Sequence, residues 1–437
     1  MKQKWLTKGT IAVLLMAFLT GCSEQASPSN SAAISSSSTT PSQEISSAES
    51  IAPDVNSESE TVTPEFKAKK RLSQMTLEQK VGQLFFLCYR KDADGNNLLK
   101  LDEASQKQIQ HIQPGGIILF EENISTVEGV RSYIQTAESQ ETLPPFISID
   151  QEGGFIQRIK NTDSIPATNV PPMMEVGNTG DTALARKIGN VLGSELSVFG
   201  FNLDFAPDCD VFSNPHNTVI GNRSFSSDPN VVASMSIAVS NGLRDTGMIP
   251  VIKHFPGHGD TDADTHVGYA VSNKTKAELE QTELVPFREQ IRSGAEMIMV
   301  AHISLPQING DNTPATLSQS VVTGILRDEL GFHGVAVTDA MDMGAITENY
   351  TSAQAATMAL NAGMDMILMP KNPEEAYQAI LKAVQNGTIS QERLDTSVLR
   401  ILTLKYKYDL FDHKKLSDPS VLGCEEHQKI VQQVTGG

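Results

Sequence analysis

The residues of this 437-residue chain that can do chemistry fall in four short strings. The first is VAVTDAMD over 335–342, an apolar run that ends in Asp339 with little else reactive beside it. A carboxylate at the mouth of a fold can attack an anomeric carbon and stabilise an oxocarbenium-like transition state. An Asp at such a point can equally cap the next helix, and on the residues alone the two readings stand level. The second string, KHFPGHGDT over 253–261, runs on to Asp264, Thr265 and His266. Pro256, Gly257 and Gly259 leave it little intrinsic secondary structure, so its polar residues are expected to be presented rather than buried in a helix or ladder. Asp264 and His266 can meet in an extended turn. A carboxylate there fixes the imidazole tautomer and makes a group that gives and recovers a proton near neutral pH. The same stretch supports a metal reading, because His254, His258, Asp260 and His266 are all possible ligands. The third string is DQEGG over 150–154 with Arg158 beyond it. Asp150 can accept two sugar hydroxyl protons, or belong to a polar loop whose glycines permit a tight turn. The fourth, VIGNRSF over 219–225, carries Arg223, either a buried donor or, as the better reading in isolation, a solvated charge.

A scaffold must bring these strings together, and the hydrophobic pattern suggests one. Short apolar runs at 116–120, 145–150, 203–207, 250–255, 297–302, 335–339 and 366–369 read as buried strands. Helical patterns lie between them at 183–199, 276–293, 320–330 and 352–361, the last closed by Gly363 as a C-cap. This alternation is too regular for an α+β fold. Seven or eight repeats suit a TIM-type (β/α)8 barrel better than an open doubly wound sheet. No GxGxxG opens a helix after a strand and no P-loop is present, which disfavours dinucleotide and nucleotide binding. Asp150, Lys253 with His254, His302 and Asp339 each fall at the C-terminal end of an expected strand, where barrels build their active sites.

Composition narrows the partners. A formal charge of -18 argues against nucleic acid and fits a neutral or sugar-like substrate. Cys22, Cys88, Cys209 and Cys424 show neither a disulfide framework nor zinc-site spacing. Lys2, Lys4 and Lys8 precede an apolar run at 11–19, the layout of a secretory signal and too short to span a bilayer of about 30 Å. The following Leu19, Thr20, Gly21 and Cys22 resemble a bacterial lipobox, which would lipidate Cys22; an ordinary cleaved signal with an incidental Cys is the alternative. From 23 to 64 the chain is Ser, Thr, Ala, Pro and Glu, a tether that cannot bury enough surface to offset ordering entropy. The expected organisation is a lipoprotein signal at 1–22, a disordered linker at 23–64, a barrel at 65–412 and a tail at 413–437.

In this order the four strings resemble glycoside hydrolase family 3, and within it the β-N-acetylhexosaminidases, over roughly 66–411. The resemblance implies a barrel catalytic domain and a retaining double displacement that needs no metal or organic cofactor. It implies Asp339 as nucleophile, His266 as general acid/base and Asp264 as its partner. It also implies binding of the terminal sugar by Asp150, Arg158, Arg223, Lys253 and His254. A neutral imidazole in place of the usual carboxylic acid would suit anionic wall-derived sugars. The chain departs from the family pattern at Phe155, where Arg is usual, and at Asn222, where an acidic residue is frequent. Many relatives carry a second α/β domain, expected here to be absent or only begun at a helix-like 425–434. The expectation is an exo-acting β-N-acetylglucosaminidase on muropeptides, a monomer held on the outer face of a bacterial membrane through Cys22 alone. A family 3 β-glucosidase, a phosphorylase and a non-catalytic sugar-binding lipoprotein are the alternatives.

Overall fold

A computed structural model describes residues 63–261, 270–412 and 416–436. The export signal, Cys22 and the tether up to residue 62 lie outside the described residues, as do Asp264, Thr265 and His266; the last two tether positions, Thr63 and Pro64, instead cap and open the helix Pro64–Leu72.

Eight strands form the centre: β1 (Phe85–Cys88), β2 (Gly116–Ile118), β3 (Phe146–Ile149), β4 (Leu203–Asp204), β5 (Ile249–Phe255), β6 (Met297–Val300), β7 (Val335–Thr338) and β8 (Ile367–Leu368). All pair in parallel in the order β7-β6-β5-β4-β3-β2-β1-β8. The ring closes where Val337 bridges Met366 and Thr338 N donates to Met366 O at 3.1 Å. Helices α1 (Glu103–Ile112), α2 (Val127–Glu138), α3 (Thr182–Phe199), α4 (Pro229–Asp245), α5 (Leu284–Arg292), α6 (Ser320–Glu329), α7 (Ser352–Ala362) and α8 (Pro373–Gln385) follow the strands in turn. This is the expected (β/α)8 barrel. A parallel strand between a filled interior and a helical jacket is apolar on both faces, which is why the strands read as continuous runs.

Two expectations need correction. β1 was not among the expected strands. Its FFLC run follows directly on the helix Leu77–Gly82, and a short apolar run beside a helical pattern has no period of its own to betray it. The expected helix at 276–293 is two helices, Lys276–Gln281 and α5, broken at Thr282. The break leaves Pro286 in the first turn of α5, where its missing N–H is no loss.

The interior is aromatic at the floor. Phe86 stacks on Phe146 with centroids 6.0 Å apart and meets Phe205 at 5.7 Å. Gly116 makes room, since a Cβ there would stand 2.1 Å from the Phe86 ring. Beneath β7, the buried Asp365 carboxylate accepts from Arg327 at 2.6 Å, Arg400 at 3.0 Å, Ser397 at 2.6 Å and Ala336 N at 3.0 Å. Burial alone would push that carboxyl up, but the arginines outweigh it and hold it at about 2. After the barrel, the helix Glu425–Thr435 is tied to α3. Glu195 accepts from Thr168 N at 2.9 Å, Thr168 Oγ1 at 2.6 Å and Gly423 N at 3.0 Å, and pairs with His427 Nδ1 at 2.8 Å.

α3 and α4 approach closely through glycines. A Cβ on Gly242 would lie 2.0 Å from Arg186 O, and one on Gly189 2.2 Å from Val239 O. Gly to Ala inside a helix normally stabilises by about 1 kcal/mol. For Gly242→Ala the sign is expected to reverse, with a loss of about 1–3 kcal/mol in denaturant unfolding, because the obstructing atom is backbone.

Candidate functional site

The four strings meet at the C-terminal mouth of the barrel, in a cavity of about 160 Å³ walled by Phe120, Asp150, Glu152, Arg158, Arg223, Lys253, His254, His258 and Asp339. A larger cleft of about 720 Å³ lies beside Tyr350 and Lys371, but the polar side chains of the four strings converge in the smaller one.

Each string is shaped by local chemistry. In DQEGG, Gly153 and Gly154 take φ of +100° and +60°, a conformation L side chains avoid, and turn the chain into a hairpin. Gln151 locks that hairpin: its Oε1 accepts from Arg158 N at 2.9 Å and Ile159 N at 3.1 Å, which brings Arg158 back over the cavity. Phe155 stands at the tip, 61% exposed. In KHFPGHGDT, a Cβ on Gly259 would fall 1.7 Å from Val211 O, so only glycine lets this loop lie against the chain leaving β4. The loop was expected to present its polar residues. Instead Lys253 and His254 end β5, where Lys253 bridges in parallel to Asp208, and with His258 of the loop they are buried.

At the centre is a run of alternating charges. Lys253 Nζ lies 2.7 Å from Asp150 Oδ1 and 2.7 Å from Glu152 Oε1. Arg223 grips Glu152 with two hydrogen bonds of 2.8 Å. Arg223, read as a solvated charge in isolation, is therefore a buried donor. Burial would raise the Glu152 carboxyl, yet Arg223 and Lys253 overcome it and hold the group well below the usual carboxylate range. The same pairs hold Lys253 above its ordinary value against burial.

Asp339 follows β7, its Oδ1 accepting from Ala340 N at 2.8 Å. It caps no helix, because the next one, Gly344–Thr347, begins at Met343 without a side-chain cap. Burial works to raise its carboxyl, but the net position is below the ordinary value, through His302, His254, the Ala340 N–H and Lys253. The two histidines are themselves pushed down by burial, His254 to about 4, so at neutral pH the steady contributions are the amide and the lysine.

Sequence reasoning brought Asp150, Arg158, Arg223, Lys253, His254 and Asp339 to one place, and the structure gathers all six. Asp264 and His266 lie outside the described residues. What it overlooked are carboxylates that organise the pocket. Glu152 joins both buried cations, and Asp210, two residues after Asp208 on the chain leaving β4, holds the histidine loop. Asp210 accepts from His258 N at 2.6 Å and pairs with His254 Nδ1 at 2.6 Å. With Nδ1–H committed to Asp210, His254 Nε2 accepts from Arg223 at 3.3 Å. The signal was legible as two acids flanking Cys209 just past an expected strand. His302, noted only for its strand-end position, donates Nε2–H to Ala340 O at 3.0 Å and accepts from Thr316 at 2.7 Å, bracing the peptide next to Asp339.

The metal reading can be weighed on donors. Asp208, Asp210 and His254 present atoms within 4.8 Å of one another. Arg223 already lies 3.6 Å from Asp208 and 3.3 Å from His254, so a fixed cation compensates this cluster. Of the ligands considered from sequence, Asp260 turns away to Ser272 and Lys274, and His258 Nδ1 meets Thr261 at 2.9 Å.

Residues 76–404 match the model of the glycosyl hydrolase family 3 N-terminal domain. Beta-hexosaminidase A of Pseudoalteromonas piscicida is 35% identical over 396 residues, 82% of this chain; the chain spans 65% of that relative's length. A beta-hexosaminidase of Nitrosomonas eutropha is 36% identical over 64% of this chain and 80% of its own. Among solved structures, a glycoside hydrolase family 3 beta-N-acetylglucosaminidase from Paenibacillus sp. str. FPU-7 is 36% identical, with a TM-score of 0.76 covering 83% of this chain and 68% of that one.

The charge run predicts how stability answers to acid. Glu152→Gln leaves two buried cations short of a partner, at an expected cost of about 3–5 kcal/mol in denaturant unfolding at pH 7. The folded carboxyl is depressed, so its contribution is complete above the unfolded value of about 4.3 and is lost as pH falls toward the folded one. The gap between wild type and variant should therefore narrow at pH 3.

Proposed function

The chain belongs to glycoside hydrolase family 3, and from that premise we propose that it is an exo-acting, retaining β-N-acetylhexosaminidase. It releases terminal non-reducing β-linked N-acetylglucosamine from muropeptides or other cell-wall-derived sugars. The observation that carries the reading is the placement of Asp339 in a cavity sized for one sugar ring, facing Asp150, Lys253, Arg223 and His254. A pocket so small suits removal of one terminal unit rather than binding along a chain.

In this mechanism Asp150 and Lys253 take the hydroxyls of the ring, and Arg158, Arg223 and His254 its oxygens and acetamido edge. The Asp339 carboxylate attacks the anomeric carbon as the glycosidic bond breaks, and His266, supported by Asp264, gives its proton to the departing oxygen. His266 then takes a proton from water. The hydroxide so formed attacks the anomeric carbon, the bond to Asp339 breaks, and the carboxylate is restored with the configuration retained. The anionic form of Asp339 is the one this step requires, and its depressed pKa supplies that form throughout the neutral range.

Asp339→Ala is expected to lower kcat by at least about 10^4-fold on nitrophenyl β-N-acetylglucosaminide without unfolding the barrel. His266→Ala should lower it with a changed pH profile. A mechanism-based fluorosugar should label Asp339, and a label on another carboxylate would refute the assignment. Added phosphate should leave the product as free sugar; formation of a sugar 1-phosphate would favour the phosphorylase alternative.

The export reading is proposed with it: cleavage before Cys22 and lipidation of its thiol would hold the enzyme where wall fragments are met. Cys22→Ser should shift the protein from the membrane fraction to the soluble one, and equal partition of both forms would count against the anchor.

A further inference from the structure

Asp260, the acid of KHFPGHGDT, points away from the pocket into a network of its own. Its Oδ2 accepts from Ser272 Oγ at 2.8 Å, and its Oδ1 lies 3.3 Å from Lys274 Nζ. Lys274 Nζ reaches on to Glu283 Oε1 at 2.5 Å, where Ser213 Oγ also donates at 2.9 Å. Glu283 is fully buried at the head of α5, and Gly257 packs so close that a Cβ there would stand 2.6 Å from the Glu283 Cβ. Burial works against the Lys274 ammonium, yet Glu283 and Asp260 outweigh it and hold it above its ordinary value, so the lysine stays charged through the neutral range. The backbone is tied along the same line. Asn214 Nδ2 donates to Asp260 O at 3.3 Å, and Ser272 N donates to Ser304 O at 3.1 Å beside the short parallel pairing of Ala270 and Val271 with Ile303 and Ser304.

Order along the chain gives this network its consequence. Asp260 comes before Asp264 and His266, and Ser272 and Lys274 come after them. The two contacts of Asp260 therefore join the stem on one side of that pair to the stem on the other, and Glu283 joins both to α5 and to the chain leaving β4. Joining the ends of a segment narrows the positions open to the residues between them. A group that must meet a glycosidic oxygen within hydrogen-bond reach is sensitive to such narrowing, since a displacement of about 1 Å costs about 100-fold in rate.

We propose that Lys274 is a positioning residue, which by clamping Asp260 to Glu283 sets where His266 meets the departing oxygen. The proposal rests on the hexosaminidase reading and on the acid/base role given there to His266, and adds to it a residue that touches no substrate. Two features favour positioning over stability alone. A single ammonium spans two carboxylates, one from the stem of the catalytic loop and one from the frame of the barrel. Among the described residues Lys274 is also the one cation paired with Glu283, a buried carboxyl whose other oxygen has no hydrogen-bond partner. Burying such a group stabilises little by itself, and what it secures is the place of the ammonium.

The test uses the full chain and two substrates that differ in their need for a proton. The phenolate leaving dinitrophenyl β-N-acetylglucosaminide departs unaided, whereas the alkoxide leaving a disaccharide of N-acetylglucosamine β-linked to a second sugar must be protonated. In kcat/KM, which reports formation of the glycosyl-enzyme, Lys274→Met should lose about 100-fold on the disaccharide and less than about threefold on the dinitrophenyl substrate. Lys274→Arg should recover part of that loss. Asp260→Ala, which leaves Glu283 with its cation, should show the same selective loss and carries the test if Lys274→Met does not fold by circular dichroism. Equal losses on both substrates, or none on either, in folded Asp260→Ala overturn the clamp. His266→Ala is the reference: a selective loss there with none in the clamp variants removes the clamp alone. Equal losses of His266→Ala on the two substrates would remove the acid role of His266, and this assignment with it.

Discussion

The pocket depends on one buried exchange of charge, Glu152 held between Lys253 and Arg223. Taking a carboxylate, an ammonium and a guanidinium out of water is costly, and is offset only when geometry and hydrogen bonding are nearly complete. Here Glu152 receives two bonds from Arg223 and one contact from Lys253, each within 2.8 Å. The three residues come from the hairpin after β3, the turn after β4 and the end of β5. Their pairing therefore does more than neutralise charge: it ties adjacent loops of the barrel mouth into one piece, so that Asp150 and His254 are set against Asp339 before any ligand arrives. Preorganised charge of this kind costs no rearrangement at the moment of reaction.

The frame beneath supplies the other half of that rigidity. Strand ends fix where each loop starts, and close contacts fix where it goes. Gly259 against Val211 O is one such contact, and Gln151 folding its hairpin onto Arg158 N is another. On the far side of the pocket, His302, oriented by Thr316, holds the carbonyl of Ala340, the residue whose N–H binds Asp339. Neither histidine nor threonine needs to touch a substrate to matter there.

Much of this was legible in the residues. Alternating apolar runs named the fold, because strands enclosed on both faces leave a continuous signature, and only β1, short and adjoining a helix, was hidden. Acids and bases at strand ends named most of the pocket, because barrel topology sends all such ends to one rim. Partnership was not legible. Arg223 in isolation reads as a surface charge, and nothing in VIGNRSF tells that a carboxylate 71 positions earlier will take it out of water. Asp210 could be noticed as one of two acids flanking Cys209 past a strand, but its partners appear only when two backbone amides and an imidazole converge on it. Sequence displays which groups are available, while their pairing is set by the packing of distant loops.

That pairing also decides where the unbalanced charge of the pocket resides. His254, His258 and His302 are all pushed down by burial, so at neutral pH they add polarity without net charge. Asp208 is raised by burial and by the nearby Asp210, and Asp210 is itself raised by burial to about 6. Two such carboxyls side by side favour holding one proton between them, and behave as a single negative charge. Lys253, Arg223 and Arg158 then answer Asp150, Glu152 and that pair. The negative charge left over is that of Asp339, which faces the cavity with one amide bond and, among the described residues, no arginine or lysine in an ion pair with it. For the nucleophilic role proposed for Asp339, a guanidinium clasp would be a contact to break before attack. Placing the strong cations on the neighbouring carboxylates leaves this one ionised yet unencumbered.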